Sequence, residues 1–238
     1  MSVSATAERL QRIDWNSVST DLDAQGWAIL PNLIEPDACD GIASLYDEDA
    51  GFRSRVVMAR HGFGRGEYRY FSYPLPPIIQ EIRSGLYPQI APIANRWHER
   101  MGIETRFPSS HQEYLDQCHA AGQMRPTPLL LRYGPEDYNC LHQDLYGEHV
   151  FPLQIATLLS EPGREFEGGE FVLTEQRPRM QTRPAVVPLS KGDAVLFAVN
   201  SRPVQGSRGS YRVALRHGVS KVRSGKRHTV GIIFHDAT

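Results

Sequence analysis

A mainly β fold preceded by helices is what this chain of 238 residues predicts, with the strands closing into an antiparallel sandwich or jelly roll. Three observations carry that expectation. After Pro126, the stretches PLLLRYG, FPLQIATLLSEPG, EFVLTE, PAVVPL, DAVLFAV, YRVALRHGV and RHTVGIIF are short apolar or alternating runs, many separated by Gly, Pro, Asp or Asn. Before Gly51, and again from Ile78 to Met101, apolar residues recur three or four apart instead. A hydrophobic content of 40% at this length supports one substantial core with an appended helical layer. The economical organisation is one domain over 1–238, with 1–125 mostly helical support and 126–238 the jelly-roll core.

Taken in order, Asp14 to Ala28 has roughly helical apolar spacing, punctuated by Gly26. WAILPNLI overlaps its end and reads as an edge strand, since Pro31 cannot donate to a ladder. Pro36 suits the first turn of a helix that continues through Cys39, Ile42 and Leu45. Gly51 to Pro77 reads as irregular. Its HGFGRGEYRYFSYPLPP is either a surface loop pinned by aromatics or a substrate-contacting loop through Arg65, Tyr68, Arg69 and Tyr70. The next helix follows from Ile79, Ile82, Leu86, Ile90, Ile93 and Trp97 on one face.

With 26 basic and 27 acidic side chains, the chain is too neutral to be held on nucleic acid by bulk charge alone. Cys39, Cys118 and Cys140 form no CxxC pair and no even framework, which points to a reducing compartment. No stretch approaches the about 18 apolar residues of a membrane helix, and the first residues lack a signal-sequence core. A soluble, cytoplasmic protein without a membrane partner is expected. Nothing in the sequence reports an oligomeric state.

His142 and Asp144 form an H-x-D unit, and residues two apart on an extended backbone point the same way. On YRVALRHGV, alternation puts Tyr211, Val213, Leu215 and His217 on one face. His142, Asp144 and His217 would thus supply two imidazoles and a carboxylate, the triad that leaves open positions on octahedral iron(II). An isolated H-x-D is common and carries little by itself. His61, His98, His111, His119, His149, His228 and His235 belong to no comparable constellation. Arg227 lies beyond the turn-prone SGK, at the start of a nearly all-apolar strand, where its planar guanidinium could clamp the far carboxylate of a dicarboxylic acid.

HQD at 142–144, the histidine of RHGVSKVRSGKRHTV and Arg227 ten residues beyond it resemble the signature of the 2-oxoglutarate/iron(II) dioxygenases. The resemblance implies a cupin-like, double-stranded β-helix. It also implies iron(II) at the triad, 2-oxoglutarate and dioxygen as co-substrates, and ascorbate as an additive in vitro. Arg227 would then bind the C5 carboxylate of 2-oxoglutarate, and Tyr133 matches a tyrosine that donates to the same group. More of the chain, through GFGRGEYRYFSYPLP, RYGPEDYNCLHQDLYG, GGEFVLTEQRPR, GDAVLF and GIIFHDA, is similar to a small bacterial oxygenase family described by prediction as acting on alkylated DNA.

Between Asn200 and His235 there is no acidic residue, but Arg202, Arg208, Arg212, Arg216, Lys221, Arg223, Lys226 and Arg227 all fall there. With the aromatic loop they could form a basic mouth suited to alkylated single-stranded nucleic acid. They suit an anionic metabolite or acidic peptide as well, or a solvated face whose acidic partners come from the helical half. Two alternatives to demethylation of nucleic acid therefore stay open. One is hydroxylation of a protein side chain, prolyl hydroxylase-like, or of a small metabolite; the other is a cupin-like barrel that binds metal or ligand without turnover.

Overall fold

The computed structural model describes residues 5–145, 147–207 and 209–238, so Arg208 of the basic stretch lies outside the described residues. Helices α1 (Ala5–Gln11) and α2 (Trp15–Gln25) come first, followed by strand β1 (Trp27–Leu30) and helix α3 (Pro36–Ser44). Asp14 caps α2 by accepting from the backbone N–H groups of Asn16 and Ser17, and Gly26 ends it in the left-handed region. Strands β2 (Phe52–Val57), β3 (Gly64–Arg65) and β4 (Glu67–Phe71) precede helices α4 (Pro77–Arg100) and α5 (His111–Ala120). The second half holds β5 (Leu129–Tyr133), β6 (Tyr138–His142), β7 (Leu153–Leu158), β8 (Phe166–Gly168), β9 (Phe171–Gln176) and β10 (Arg183–Val187). It ends with β11 (Ala194–Ala198), β12 (Ser201–Gly206), β13 (Gly209–Val219), β14 (Val222–Gly225) and β15 (Arg227–Ile232).

A seven-stranded sheet runs in the order β1-β11-β7-β15-β5-β4-β2, and a six-stranded sheet in the order β10-β9-β13-β6-β3 with β12 paired to β13. A two-stranded sheet joins β14 to β8, and the named pairings are antiparallel. On the outer face of the large sheet, Leu130, Ile155, Leu196, Val230 and Ile232 share one apolar cluster with Ile79, Leu86 and Ile90 of α4. Its inner face sends Ala156, Val195 and Phe197 against Phe171, Leu173 and Val187 of the six-stranded sheet. Covering on both faces explains why β7 and β11 are buried at every position and read as continuous apolar runs. Among the described residues, no helix is long and apolar enough to cross a membrane.

The first half departs from the expected helical support. β1 is an edge strand, as WAILPNLI suggested, but the segment expected to be irregular carries β2, β3 and β4. Glycines at 62, 64 and 66 break the alternation that marks strands, and at 64 and 66 they permit close approach. A Cβ on Gly64 would sit 2.4 Å from the Tyr138 carbonyl oxygen, and one on Gly66 would sit 2.9 Å from the Tyr133 ring. Both residues have positive φ, at 126° and 112°. Gly64→Ala should therefore cost about 1–3 kcal/mol, a fall in melting temperature of roughly 2–12 °C for a chain of this size. An unchanged melting curve would show that the β3–β6 contact relaxes freely.

Candidate metal centre

Antiparallel pairing of β13 with β6 sets His217 directly opposite His142. Their ring centroids are 4.2 Å apart. Asp144 follows two residues beyond the end of β6 and turns its carboxylate between them. Its Oδ1 lies 3.4 Å from His142 Nε2 and its Oδ2 lies 3.4 Å from His217 Nε2. One ligand atom from each of the three falls within 4.8 Å of the others. Alternation along β13 explains the placement of His217, which shares the buried face with Val213 and Leu215.

Each member is held from behind. His142 Nδ1 donates to the Cys140 carbonyl at 2.8 Å, which orients the ring with Nε2 toward Asp144. His217 lies 4.6 Å from the Phe197 ring. Gln154 of β7 is buried and donates Nε2–H to Asp144 Oδ2 at 2.7 Å. Because a carboxylate only accepts, this contact also fixes which end of the Gln154 amide faces the centre. Burial pushes the Asp144 carboxyl up, but hydrogen bonds to both histidines and their charges outweigh it and hold it well below the usual carboxylate range. Burial lowers His217 below its ordinary value; for His142 burial pulls the same way, but the bond to Asp144 wins and raises it.

Gln154 was not singled out by sequence reasoning, yet a signal exists: it is an amide inside the otherwise mostly apolar run FPLQIATLL. Replacing it with Leu should weaken divalent-metal affinity by about 10–100-fold, the usual loss for an outer-shell partner. Calorimetric titration with manganese(II) measures this, and an unchanged affinity would remove Gln154 from the site.

Across the cavity, β15 pairs with β5 so that Arg227 faces Tyr133. Both are almost wholly buried. Arg227 donates Nη1–H to Thr229 Oγ1 at 2.5 Å, and its guanidinium carbon lies 5.5 Å from the Tyr133 ring. Its stem packs where a Cβ on Gly169 would stand, 2.8 Å from Arg227 Cδ. Among the described residues no carboxylate lies within ion-pair distance of it. Burial pushes the guanidinium down to about 10, which leaves it charged at neutral pH. Burial pushes the Tyr133 hydroxyl up to about 12 against the opposing pull of Arg227 and Asn139. That hydroxyl and Arg227 Nε are buried without a hydrogen bond of ordinary geometry. Asn139 and Thr229 are further polar residues of the cavity that the sequence did not mark.

One cavity of about 470 Å³ includes all of these groups, together with Tyr68 and Tyr70. The other half of the expected substrate loop points elsewhere. Arg69 donates to the Glu48 carbonyl at 2.7 Å, and Arg65 lies 4.0 Å from Asp137. The basic mouth expected from 200–235 is not assembled either. Arg202 is buried on Glu175, Lys221 pairs with Glu136 at 3.0 Å, and Arg223 approaches Glu170 at 3.9 Å. Exposed Arg212 and Arg216 alternate with His217 on β13 and so lie on the opposite face.

Residues 66–237 match the model of the Oxygenase-NA family, described as "Oxygenase, catalysing oxidative methylation of damaged DNA". An "uncharacterized protein" of Mycobacterium tuberculosis is 48% identical over 167 residues, covering 70% of this chain and 72% of that protein. Among solved structures, an oxidoreductase of the 2OG-Fe(II) oxygenase family from Burkholderia pseudomallei superposes with a TM-score of 0.56 at 14% identity, covering 95% of this chain and 94% of its own. A prolyl-4-hydroxylase from Pseudomonas putida gives 0.53 at 13% identity, over 94% and 99%. At such identities these structures are similar in fold.

Proposed function

This chain belongs to the Oxygenase-NA family, and from that membership we propose an iron(II)- and 2-oxoglutarate-dependent dioxygenase that oxidatively removes methyl groups from damaged bases. Its two antiparallel sheets are read as the jelly-roll, double-stranded β-helix of such enzymes. His142, Asp144 and His217 are assigned as the metal ligands. Arg227 and Tyr133 are assigned as the clamp for the far carboxylate of 2-oxoglutarate.

The donor chemistry fits the metal. Two imidazoles and a carboxylate from one side of a cavity leave positions open, the pattern typical of non-haem iron(II) oxygenases. The co-substrate fits as well, and one observation carries this part of the reading. A buried cation with no carboxylate within ion-pair distance, and a buried hydroxyl without a hydrogen bond of ordinary geometry, line the same cavity as the three ligands. Buried charges in proteins are ordinarily paired, so Arg227 is built to receive an anion.

Iron with bound 2-oxoglutarate supplies the oxidising power: dioxygen gives one atom to succinate, formed with carbon dioxide, and the other to a substrate C–H bond. On an N-methyl group the resulting hydroxymethyl leaves as formaldehyde, so the net change to the base is demethylation. The protein's part is placement. Arg227 and Tyr133 hold the far carboxylate, Gln154 fixes Asp144, and Phe171 and Phe197 keep water from the His217 side. The triad leaves no side chain that must act as a general base.

Incubation with iron(II), ascorbate and 2-oxoglutarate under air, with and without N-methylated single-stranded DNA, tests the reading. The expected result is oligonucleotide-dependent succinate with loss of the methyl mass. Succinate that ignores the oligonucleotide would move the search to protein side chains or small metabolites.

A further inference from the structure

Resting on that reading, we infer that the outer half of the cavity is a subsite for one unstacked base, with Phe63 as its stacking face and no track for phosphates. Phe63, Leu141 and Leu145 all line this cavity, and yet they are 47%, 44% and 50% exposed. A single apolar side chain in water needs no explanation; three around one opening do. Deeper in, Tyr68 and Tyr70 meet edge to face at 5.4 Å, beside Leu129 and Leu131. These walls are uncharged, three aromatic rings set among four leucines.

Charge decides between a base and a backbone. Among the described residues lining the cavity, Arg227 is the only lysine or arginine, and the proposed co-substrate occupies it. An anionic group of the substrate therefore has no counter-charge inside. Size points the same way. At about 470 Å³ the cavity lies low in the roughly 300–1,000 Å³ span of small-molecule sites. With 2-oxoglutarate in place, the remaining space suits one ring system and not a stacked pair. A base must then leave its stack to enter, and it does so most easily from a single strand.

Phe63 is carried on a fixed backbone. Its N–H donates to the Met58 carbonyl at 3.2 Å, and its carbonyl accepts from the Cys140 N–H at 2.9 Å. One side of its ring is backed by His61, with centroids 5.3 Å apart and planes at 23°. Close contact of Gly64 with β6 keeps this corner against the strand that ends in His142. The aromatic ring is thus positioned on the same rigid strand pair as a proposed metal ligand.

The test compares a short single-stranded oligonucleotide carrying one N-methylated base with its duplex form, at 50 and 200 mM salt, using wild-type, Phe63→Ala and Phe63→Trp proteins. Loss of one base–aromatic stack should raise KM for the single strand roughly 5- to 150-fold in Phe63→Ala. Phe63→Trp should keep a KM near wild type and show fluorescence quenching by the oligonucleotide beyond that of the wild-type protein. The duplex should be the poorer substrate. Wild-type affinity should change less than about tenfold with salt, against the roughly 10³–10⁵ lost by proteins held through 6–10 phosphates. An unchanged KM in Phe63→Ala, or a salt loss of the phosphate-bound size, would overturn the subsite while leaving a demethylase in place. Wild-type protein that produces no oligonucleotide-dependent succinate would overturn the demethylase reading, and the subsite with it. A Phe63-dependent turnover of a peptide in place of the oligonucleotide would assign the subsite to a protein side chain.

Discussion

Asp144→Asn is expected to lower metal affinity and 2-oxoglutarate turnover by more than the about 100-fold that loss of an outer-shell partner costs, while the protein still folds. An Asn oxygen can still accept from Gln154, so the 2.7 Å contact behind the site has a partner and no buried donor is stranded. What disappears is the one formal negative charge between two imidazoles. Two imidazoles 4.2 Å apart, centroid to centroid, hold a dication poorly without it. Calorimetric titration with manganese(II), alongside succinate formation with iron(II), measures both effects. Full turnover in Asp144→Asn would remove Asp144 from the ligand set.

Arg227→Met should act in opposite directions on function and stability. Truncating one partner of a buried charge pair costs about 2–5 kcal/mol of binding, so the 2-oxoglutarate dissociation constant should rise at least about 30-fold. The metal-free protein should nonetheless melt higher. In the folded chain Arg227 is buried beside no carboxylate, and burial pushes its pKa down to about 10. The sign is that of a buried base: the folded state disfavours its charge at every pH below that value, neutral pH included. An apolar side chain of similar length removes the penalty, a gain of about 1–4 kcal/mol where buried charges have been replaced by well-packed apolar groups. Differential scanning calorimetry and 2-oxoglutarate calorimetry on the same variant read both. A variant that melts lower and still binds 2-oxoglutarate would mean that Arg227 is only a structural cation.

The residues that carry this account differ in how far the sequence revealed them. Strands buried on both faces, such as β7 and β11, and the alternating β13 announce themselves by pattern alone. Placing His217 was therefore a local problem: alternation put it on the inward face of its strand. The H-x-D unit was legible in the same way, although Asp144 stands beyond the end of β6 and owes its direction to Gln154 as much as to the extended backbone. Strand β3 and the start of β4 were hidden because Gly64 and Gly66 serve contacts with β6 and Tyr133, distant in sequence, and break the period. The short strands β8 and β14 have too few residues to show one.

Charge was the least legible property. The run of basic residues from 200 to 235 is real in composition, but its partners lie far along the chain. Glu175 takes Arg202 and Glu136 takes Lys221. A one-dimensional count of charges cannot see such pairings, and they turn an apparent basic mouth into a neutral, aromatic one. At Arg227 the missing partner is informative only once the fold shows that the site is buried.

The central claim is that one cavity holds a divalent metal and 2-oxoglutarate together, through the groups named here. The most direct test is anaerobic calorimetry of 2-oxoglutarate binding to the full chain, with and without iron(II) and in the presence of manganese(II) as a redox-inert substitute. The expected result is one 2-oxoglutarate per chain, tight binding only when metal is present, and loss of that binding in Asp144→Asn and Arg227→Met. Equal 2-oxoglutarate affinity with and without metal, or binding that survives both substitutions, would contradict it.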